Sequence, residues 1–361
     1  MILEMKSASI RVFILLLIFI TGPILLSFSK IISAYASTST SLKYTALGDS
    51  ITIASPPYSD GTPNYVDRYK NYVTTDLGVP VSTTNLGING LTSAGLLDKL
   101  KNDQNFRASV KNANVITLFI GFNDYQLARF NFYAGTCGGV DNQDCLRNNV
   151  ANFNSNFTNI VSEIKSINPN PNTVFLASDL YNSWMQSDIN AGNQTILIPY
   201  FNQFNSYIHS IGASNGLTVT NVYQAFNGAS GLEDPIAKGY IYVSNYPNVV
   251  HPSGQGHEVI TTQFRNLNNI LLAKDTDGDG FSNGAEKYMG TNLLTSCPTS
   301  SLQQSWPPDL NNDGYISVAD ITAVVQKFGT TLPRYDFNQD GKVTVVDILI
   351  VRSYYSQHCK P

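Results

Sequence analysis

Short apolar runs alternate with longer amphipathic segments between residues 44 and 273. The apolar runs predict buried β-strands at residues 44–47, 115–120 and 173–177, with weaker candidates at 81–85 and 217–222. The segments between them have helical spacing and predict helices at residues 94–100, 146–167, 199–211 and 255–272. Strands that alternate with helices favour an α/β fold, in which helices cover both faces of a parallel sheet.

The pattern changes abruptly after Lys274. Asp, Asn and Gly become frequent there and recur at regular spacing. We therefore expect the α/β domain to span residues 40–273 and to be followed by smaller modules. In a parallel sheet of this kind, ligands bind at the carboxyl ends of the strands. Polar residues that directly follow a predicted strand are thus the first candidates for a site.

The N-terminus has the pattern of an export signal. Lys6 and Arg11 precede an apolar run over residues 12–26, and Ala34-Tyr35-Ala36 then provides small residues around a cleavage site. The pattern predicts a signal peptide over residues 1–36, cleaved after Ala36, and a secreted, extracellular protein that is free, on the cell surface or attached to a scaffold. The alternative is an uncleaved segment, in which case the chain would be attached to a membrane.

Charge and cysteine content agree with export. The formal net charge is -4, so the chain lacks the basic surface that nucleic-acid binding requires. An even number of cysteines in an exported chain favours disulfides over free thiols. We expect Cys137 to pair with Cys145 across a short loop and Cys297 to pair with Cys359. Their spacing lacks the CxxC pattern of zinc sites.

Three short runs supply the groups that ester cleavage requires. Gly48-Asp49-Ser50 ends the first predicted strand and offers Ser50 as a nucleophile. Ser50 needs a base, and of the four histidines His251 is the best candidate because it precedes a predicted helix in a loop. Asn123, directly after another strand, offers a neutral amide to a developing oxyanion, and Gly90 offers a backbone N–H.

The order of these runs resembles the SGNH, or GDSL, hydrolase family over residues 44–273. Gly48-Asp49-Ser50, Gly90, Gly121-x-Asn123-Asp124 and His251 match its successive blocks. The resemblance implies a flavodoxin-like three-layer α/β/α fold and hydrolysis of acyl esters. It also implies that Ser50, Gly90 and Asn123 line the oxyanion hole.

The chain departs from that family at Asn248. The family usually has Asp-x-x-His, in which the carboxylate orients the histidine and stabilises the imidazolium, whereas this chain has Asn-x-x-His. An amide oxygen accepts the imidazole N–H but carries no charge, and in a triad the change lowers turnover by ~10⁴. Two interpretations follow. Ser50 and His251 act as a dyad, with a backbone carbonyl or the Asn248 oxygen orienting the ring, or the site is weakened and the domain mainly binds.

Three later segments share the pattern of a calcium-binding loop. Such a loop has oxygen side chains at positions 1, 3 and 5, glycine at position 6, a backbone carbonyl at position 7 and a carboxylate at position 12. The predicted ligands are Asp275, Asp277, Asp279, Phe281 and Glu286 in the first loop, Asp309, Asn311, Asp313, Tyr315 and Asp320 in the second, and Asp336, Asn338, Asp340, Lys342 and Asp347 in the third.

The second and third loops resemble a dockerin, a small α-helical module with EF-hand-like calcium loops, over residues 296–361. The first loop, with Gly290-Thr291-Asn292 behind it, resembles a thrombospondin-type-3 calcium repeat over residues 274–295. Dockerins bind cohesin modules, so the resemblance implies a cohesin-like partner. Loop positions 10 and 11, which help to select that partner, are Val318-Ala319 and Val345-Val346, so the type of partner stays open. A calcium-stabilised spacer or surface-attachment module is the alternative.

The combined hypothesis is a secreted serine esterase tethered by a calcium-dependent module. Calcium would be structural, and catalysis would need no cofactor. The substrate would be an acetylated polysaccharide or a lipid ester, and the dockerin resemblance favours the carbohydrate ester. The alternative is a catalytically weakened hydrolase-like domain that binds a carbohydrate or acyl ligand on a calcium-dependent scaffold.

Overall fold

The computed structural model describes residues 41–56, 59–243 and 250–360. The predicted signal peptide and Asn248 lie outside these ranges. A search of the described residues finds no helix that combines the length and the apolar character needed to cross a membrane.

A five-stranded parallel sheet forms the centre of the large domain. Its strands lie in the order β2-β1-β3-β4-β5, so the sheet grows outward from β1 in both directions. All five residues of β3 are buried, which shows that helices cover both faces at the centre of the sheet. The strands are β1 (Leu42–Gly48), β2 (Val81–Gly87), β3 (Val115–Phe119), β4 (Val174–Ser178) and β5 (Thr218–Thr220).

The apolar pattern predicted all five strands and the α/β class, and both are confirmed. The last strand is shorter than predicted, because a helix already begins at Val222. The helices of this domain are α1 (Ser50–Ile53), α2 (Tyr65–Leu77), α3 (Ser93–Asn102), α4 (Gln104–Lys111), α5 (Phe122–Tyr133), α6 (Asp144–Ile167), α7 (Met185–Asn190), α8 (Gln194–Asn215), α9 (Val222–Asn227), α10 (Gly254–Arg265) and α11 (Asn269–Leu272).

The helix predicted over residues 255–272 is interrupted, which corrects the sequence pattern. The chain turns between α10 and α11, and the Asn268 side chain bonds to α2 at this turn. Its amide donates to Asp76 at 2.7 Å, and its oxygen accepts the Tyr69 hydroxyl at 3.0 Å. A buried asparagine that satisfies both of its polar ends through another helix stabilises a turn that its local sequence does not reveal.

The C-terminal module contains three further helices and a short 3-10 helix at Pro333–Tyr335. They are α12 (Asn283–Met289), α13 (Val318–Val325) and α14 (Val345–Ser353). Each of the last two starts with a capping box, formed by Ser317 with Asp320 and by Thr344 with Asp347. The structure contains both expected disulfides, Cys137–Cys145 and Cys297–Cys359.

Candidate active site

The turn between β1 and α1 places Ser50 at the carboxyl edge of the sheet. A Cβ atom at Gly48 would lie 2.0 Å from the Thr52 hydroxyl oxygen and 2.5 Å from the Phe119 carbonyl, so only glycine fits there. Asp49 caps α1 by accepting the Ile51 N–H at 2.9 Å. These local contacts hold the chain so that Ser50 opens the short helix.

His251 contacts this serine directly. Its Nε2 atom lies 2.8 Å from Ser50 Oγ, and both side chains are buried. Burial lowers the pKa of His251 to about 4, so the ring is neutral at pH 7. A neutral imidazole at this distance accepts the proton of a serine hydroxyl.

Backbone contacts fix the segment that carries His251. The Tyr181 hydroxyl donates to the Val250 carbonyl at 2.5 Å, and the Tyr242 N–H donates to the His251 carbonyl at 2.8 Å. Ser253 then caps α10 by accepting the Gly256 N–H at 3.1 Å. The segment is therefore held by Tyr181, 69 positions before Val250, and by the nearby Tyr242 backbone. Asn248, predicted to orient the ring, lies outside the described residues, so its role stays a prediction.

Asn123 belongs to the first turn of α5, and its amide lies beside the turn between β1 and α1 that carries Ser50. Its Nδ2 atom donates to the Leu91 carbonyl at 3.0 Å and lies 3.3 Å from Asp49 Oδ2. Burial raises the pKa of Asp49 to about 7, and the nearby charge of Asp124 adds to the shift. Asp49 therefore contacts both the Ile51 N–H and the Asn123 amide. The sequence pattern did not reveal the second of these contacts.

Gly90 lies in the loop that follows β2. Its φ of +73° is in the left-handed region, and the Leu91 N–H closes the turn on the Ile88 carbonyl at 3.1 Å. The loop starts at Gly87, which pairs with Gly48 of β1. The sheet register therefore brings the Gly90 loop to the edge that carries Ser50.

A buried carboxylate joins the Gly90 loop to the start of α5. Asp124 accepts the Ser93 N–H at 2.8 Å on one oxygen and the Ser93 hydroxyl at 2.6 Å on the other. Asn156 donates to the same hydroxyl at 3.0 Å. Asp124 belongs to the run Gly121-x-Asn123-Asp124, but the sequence offered no signal for its partner, because Ser93 lies 31 positions away at the start of α3.

The other buried histidine makes different contacts. His257 accepts the Tyr65 N–H at 3.3 Å, so it joins α10 to the start of α2. The half-exposed His209 lies 3.1 Å from Asp179, which also accepts the Tyr223 N–H at 3.0 Å. Among these three histidines, His251 is the one that contacts Ser50.

The first predicted calcium loop has the side chains of a cation site. One carboxylate oxygen from each of Asp275, Asp277 and Asp279 lies within 4.8 Å of the others. Glu286 is fully buried, and neither of its oxygens has a hydrogen-bond partner. Burial and the neighbouring aspartates raise the pKa of Glu286 to about 10. The three clustered aspartates, with the buried and unpartnered Glu286 in the same loop, fit a hard cation such as Ca²⁺.

The second and third loops share one backbone conformation. At position 1, Asp309 accepts the Gly314 N–H at 2.7 Å, and Asp336 accepts the Gly341 N–H at 2.8 Å. The φ angles at position 6 are +80° and +91°, which explains the predicted glycines. The angles at position 4 are also positive, at Asn312 and Gln339, which the pattern did not predict. The predicted carbonyl ligands Phe281, Tyr315 and Lys342 stay a prediction.

Comparisons with known proteins agree with these observations. Residues 46–259, more than half of the chain, match the model of the GDSL-like lipase/acylhydrolase family. Residues 307–356 match the dockerin type I domain, and residues 275–292 match the bacterial TSP3 repeat. No curated protein matches the chain.

Several solved structures are similar to this chain. A lipase from a goat rumen metagenome is 24% identical with a TM-score of 0.51, over 63% of this chain and 97% of the lipase. An acetylxylan esterase from Geobacillus stearothermophilus is 18% identical with a TM-score of 0.44, over 63% and 94% of the two chains. A lipase/acylhydrolase from Enterococcus faecalis is 20% identical with a TM-score of 0.41, over 63% and 95%. The chain belongs to the GDSL-like lipase/acylhydrolase family and is an ester hydrolase that also carries a TSP3 repeat and a dockerin domain.

Proposed function

We propose that this protein is a secreted serine esterase in which Ser50 is the nucleophile and His251 is the general base. The observation that carries the proposal is the 2.8 Å contact between Ser50 Oγ and His251 Nε2. Two buried groups at that distance transfer a proton without a prior rearrangement. The low pKa of His251 keeps the base in its accepting form at neutral pH.

The reaction follows from these positions. His251 takes the proton of Ser50 while Oγ attacks the ester carbonyl carbon, and a tetrahedral oxyanion forms. His251 then passes the proton to the departing alcohol, which leaves an acyl group on Ser50. Water, deprotonated by the same ring, attacks the acyl group and releases the acid. His251 then returns the proton to Ser50 Oγ, which regenerates the free enzyme.

The oxyanion would be held by the backbone N–H groups of Ser50 and Gly90 and by the Asn123 amide. The nitrogen of that amide lies within hydrogen-bonding distance of two protein oxygens. The contact with Asp49 is the longer one, at 3.3 Å, against 3.0 Å for Leu91. We expect the Asp49 contact to give way to the oxyanion while the Leu91 contact keeps the amide in place. A preorganised donor of this kind is typically worth ~10²–10³ in turnover.

The C-terminal module supports the second half of the proposal, which is attachment to a cohesin-like partner in the presence of calcium. Exposed apolar residues begin α13 and α14 of the dockerin domain, with Val318 62% and Val345 57% exposed. Exposed apolar side chains on a small module favour contact with another protein. Attachment to such a scaffold would place the enzyme outside the cell near polysaccharide, which favours acetylated polysaccharides over lipid esters as substrates.

Hydrolysis of p-nitrophenyl acetate and p-nitrophenyl butyrate tests the catalytic proposal. We expect the purified chain to cleave them and Ser50→Ala to abolish turnover, while Ser82→Ala, at an exposed position on β2, retains it. An unchanged rate in Ser50→Ala would contradict the assignment. Acetylated xylan and a triacylglycerol emulsion then separate the two substrate classes.

Titration with a purified type I cohesin tests the attachment. We expect binding by the full chain in calcium and loss of binding in EDTA. Val345→Asp should weaken the binding, because it places a charge on the exposed apolar surface. Equal binding with and without calcium would contradict the calcium dependence.

A further inference from the structure

Helix α12, which belongs to the first calcium loop, packs into the core of the dockerin module. Ala285 and Met289 lie one helical turn apart on α12. The exposed fraction is 8% for Ala285 and 2% for Met289. They belong to the same apolar cluster as Trp306 and Val351 of the dockerin module. A helix that buries its apolar side in this way is part of the core and not a linker.

Aromatic contacts extend the same interface. The ring of Phe281, at position 7 of the first loop, lies 5.6 Å from the ring of Tyr354. Tyr354 in turn contacts Trp306 edge-on, at 6.0 Å between centroids. Aromatic pairs at these distances stabilise a packed interface beyond the area that they bury. The middle of the first loop, at Phe281, and the helix α12 therefore both touch the dockerin core.

The first loop also reaches the third loop through a hydrogen bond. The Tyr288 hydroxyl on α12 donates to Asp336 Oδ2 at 2.6 Å. Asp336 is position 1 of the third loop, and the same oxygen accepts the Gly341 N–H at 2.8 Å. Tyr288 is thus a direct link from the helix that carries Glu286 to a predicted ligand of a second calcium loop.

The first loop contacts the hydrolase domain as well. The Asn283 amide donates to the Leu271 carbonyl at 2.7 Å, and the Asn283 N–H donates to the Lys274 carbonyl at 2.6 Å. The Lys287 amine donates to the Asp76 carbonyl at the end of α2. One short helix therefore touches the hydrolase domain, the dockerin core and the third loop.

We propose that residues 275–292, which contain the first loop, form a third calcium-binding lobe of the docking module beside the two dockerin loops. Calcium occupancy of the first loop is coupled to calcium occupancy of the dockerin loops through α12. The proposal rests on calcium binding by the three loops, as proposed above. Glu286, with both oxygens buried and unpartnered, would hold the cation, and its position on α12 would fix Ala285, Tyr288 and Met289 against the core. Coupling of this kind is reciprocal, so calcium in the dockerin loops would also strengthen binding in the first loop.

Calcium titration of the full chain tests the coupling. Trp184 and Trp306 are the two tryptophans of the sequence. In a Trp184→Phe background, fluorescence therefore reports Trp306 in the docking core, and calorimetry counts the ions. We expect Glu286→Gln to remove one calcium equivalent and to weaken binding in the two remaining loops at least about fivefold. The unfolding temperature reported by Trp306 should fall by roughly 4–8 °C.

Two further variants on the same helix make the test specific. Tyr288→Phe keeps the ring but removes the hydroxyl, so we expect three calcium equivalents and weaker affinity in the third loop. Lys287→Ala removes a contact with the hydrolase domain only, so calcium affinities and the Trp306 transition should be unchanged. If Glu286→Gln leaves the other two affinities and the Trp306 transition unaltered, the coupling is overturned. A parent chain that binds no calcium would overturn the calcium proposal itself.

Discussion

His251 Nε2 lies 2.8 Å from Ser50 Oγ, although 201 positions separate the two residues along the chain. Ser50 reaches the site at the end of β1, and His251 reaches it on a segment held by Tyr181 and Tyr242. The pair is therefore assembled by the sheet and by the loops above it.

The pH dependence of the reaction should reflect the buried His251. Burial lowers its pKa to about 4, and only the neutral ring accepts the Ser50 proton. We expect kcat/KM for p-nitrophenyl butyrate to be constant above about pH 6 and to fall as pH decreases through about 4. Burial disfavours protonation of the His251 ring in the folded state. His251 therefore contributes folding stability above its ordinary pKa of 6.5, and this contribution is lost as pH falls through about 4. Circular dichroism at each pH separates the two effects, and a midpoint between 6 and 7 would contradict the prediction.

Asp124→Asn should impair the oxyanion donors without unfolding the domain. The amide cannot accept from both the Ser93 N–H and the Ser93 hydroxyl, so the link between the Gly90 loop and Asn123 loosens. We expect kcat to fall roughly tenfold or more with a smaller change in KM, because the loss falls mainly on the transition state.

The matched control for that variant is Asp98→Asn, an exposed position on α3 that accepts a hydrogen bond from its own helix neighbour Asn102. It should retain the parent kcat. A parent-like kcat in Asp124→Asn would show that the Ser93 contact does not position the donors.

Asn248→Asp should raise turnover if residue 248 orients His251. A carboxylate would stabilise the imidazolium that forms as Ser50 loses its proton, and the reverse change in a serine triad costs ~10⁴. We expect a gain of at least about tenfold in kcat. The same substitution in a His251→Ala background should have no effect, since the ring on which it acts is gone. A gain in kcat that persists in the His251→Ala background would contradict the proposed action of residue 248 on the His251 ring.

Calcium removal should separate the two halves of the protein. The groups around Ser50 belong to the sheet domain, and no predicted calcium ligand contributes to the contacts described among them. We expect hydrolysis of p-nitrophenyl acetate to survive EDTA, while near-ultraviolet circular dichroism shows loss of order in the C-terminal module. Loss of hydrolysis in EDTA, restored by calcium, would contradict that independence.

Local pattern accounts for much of what could be predicted. A strand buried on both faces must be apolar throughout, so β1, β3 and β4 were visible in the sequence. Helices such as α5, with apolar and polar residues on all sides, carry no clear periodicity and were missed. The turn at Asn268 was missed because its partners, Tyr69 and Asp76, lie on another helix.

The sequence by itself determined the α/β class, the GDSL-like runs and the three loops with calcium-type spacing, because each depends on residue type at fixed short spacing. The two disulfides were predicted from the even number of cysteines in a chain with an export signal. Tertiary structure alone decided that His251 lies within 2.8 Å of Ser50, that Asp124 joins the start of α5 to the start of α3 through Ser93, and that α12 packs on the dockerin core. The physical reason is the same in each case. These contacts join segments far apart in the chain, and only the packing of the sheet and the apolar cores brings their atoms within hydrogen-bonding distance.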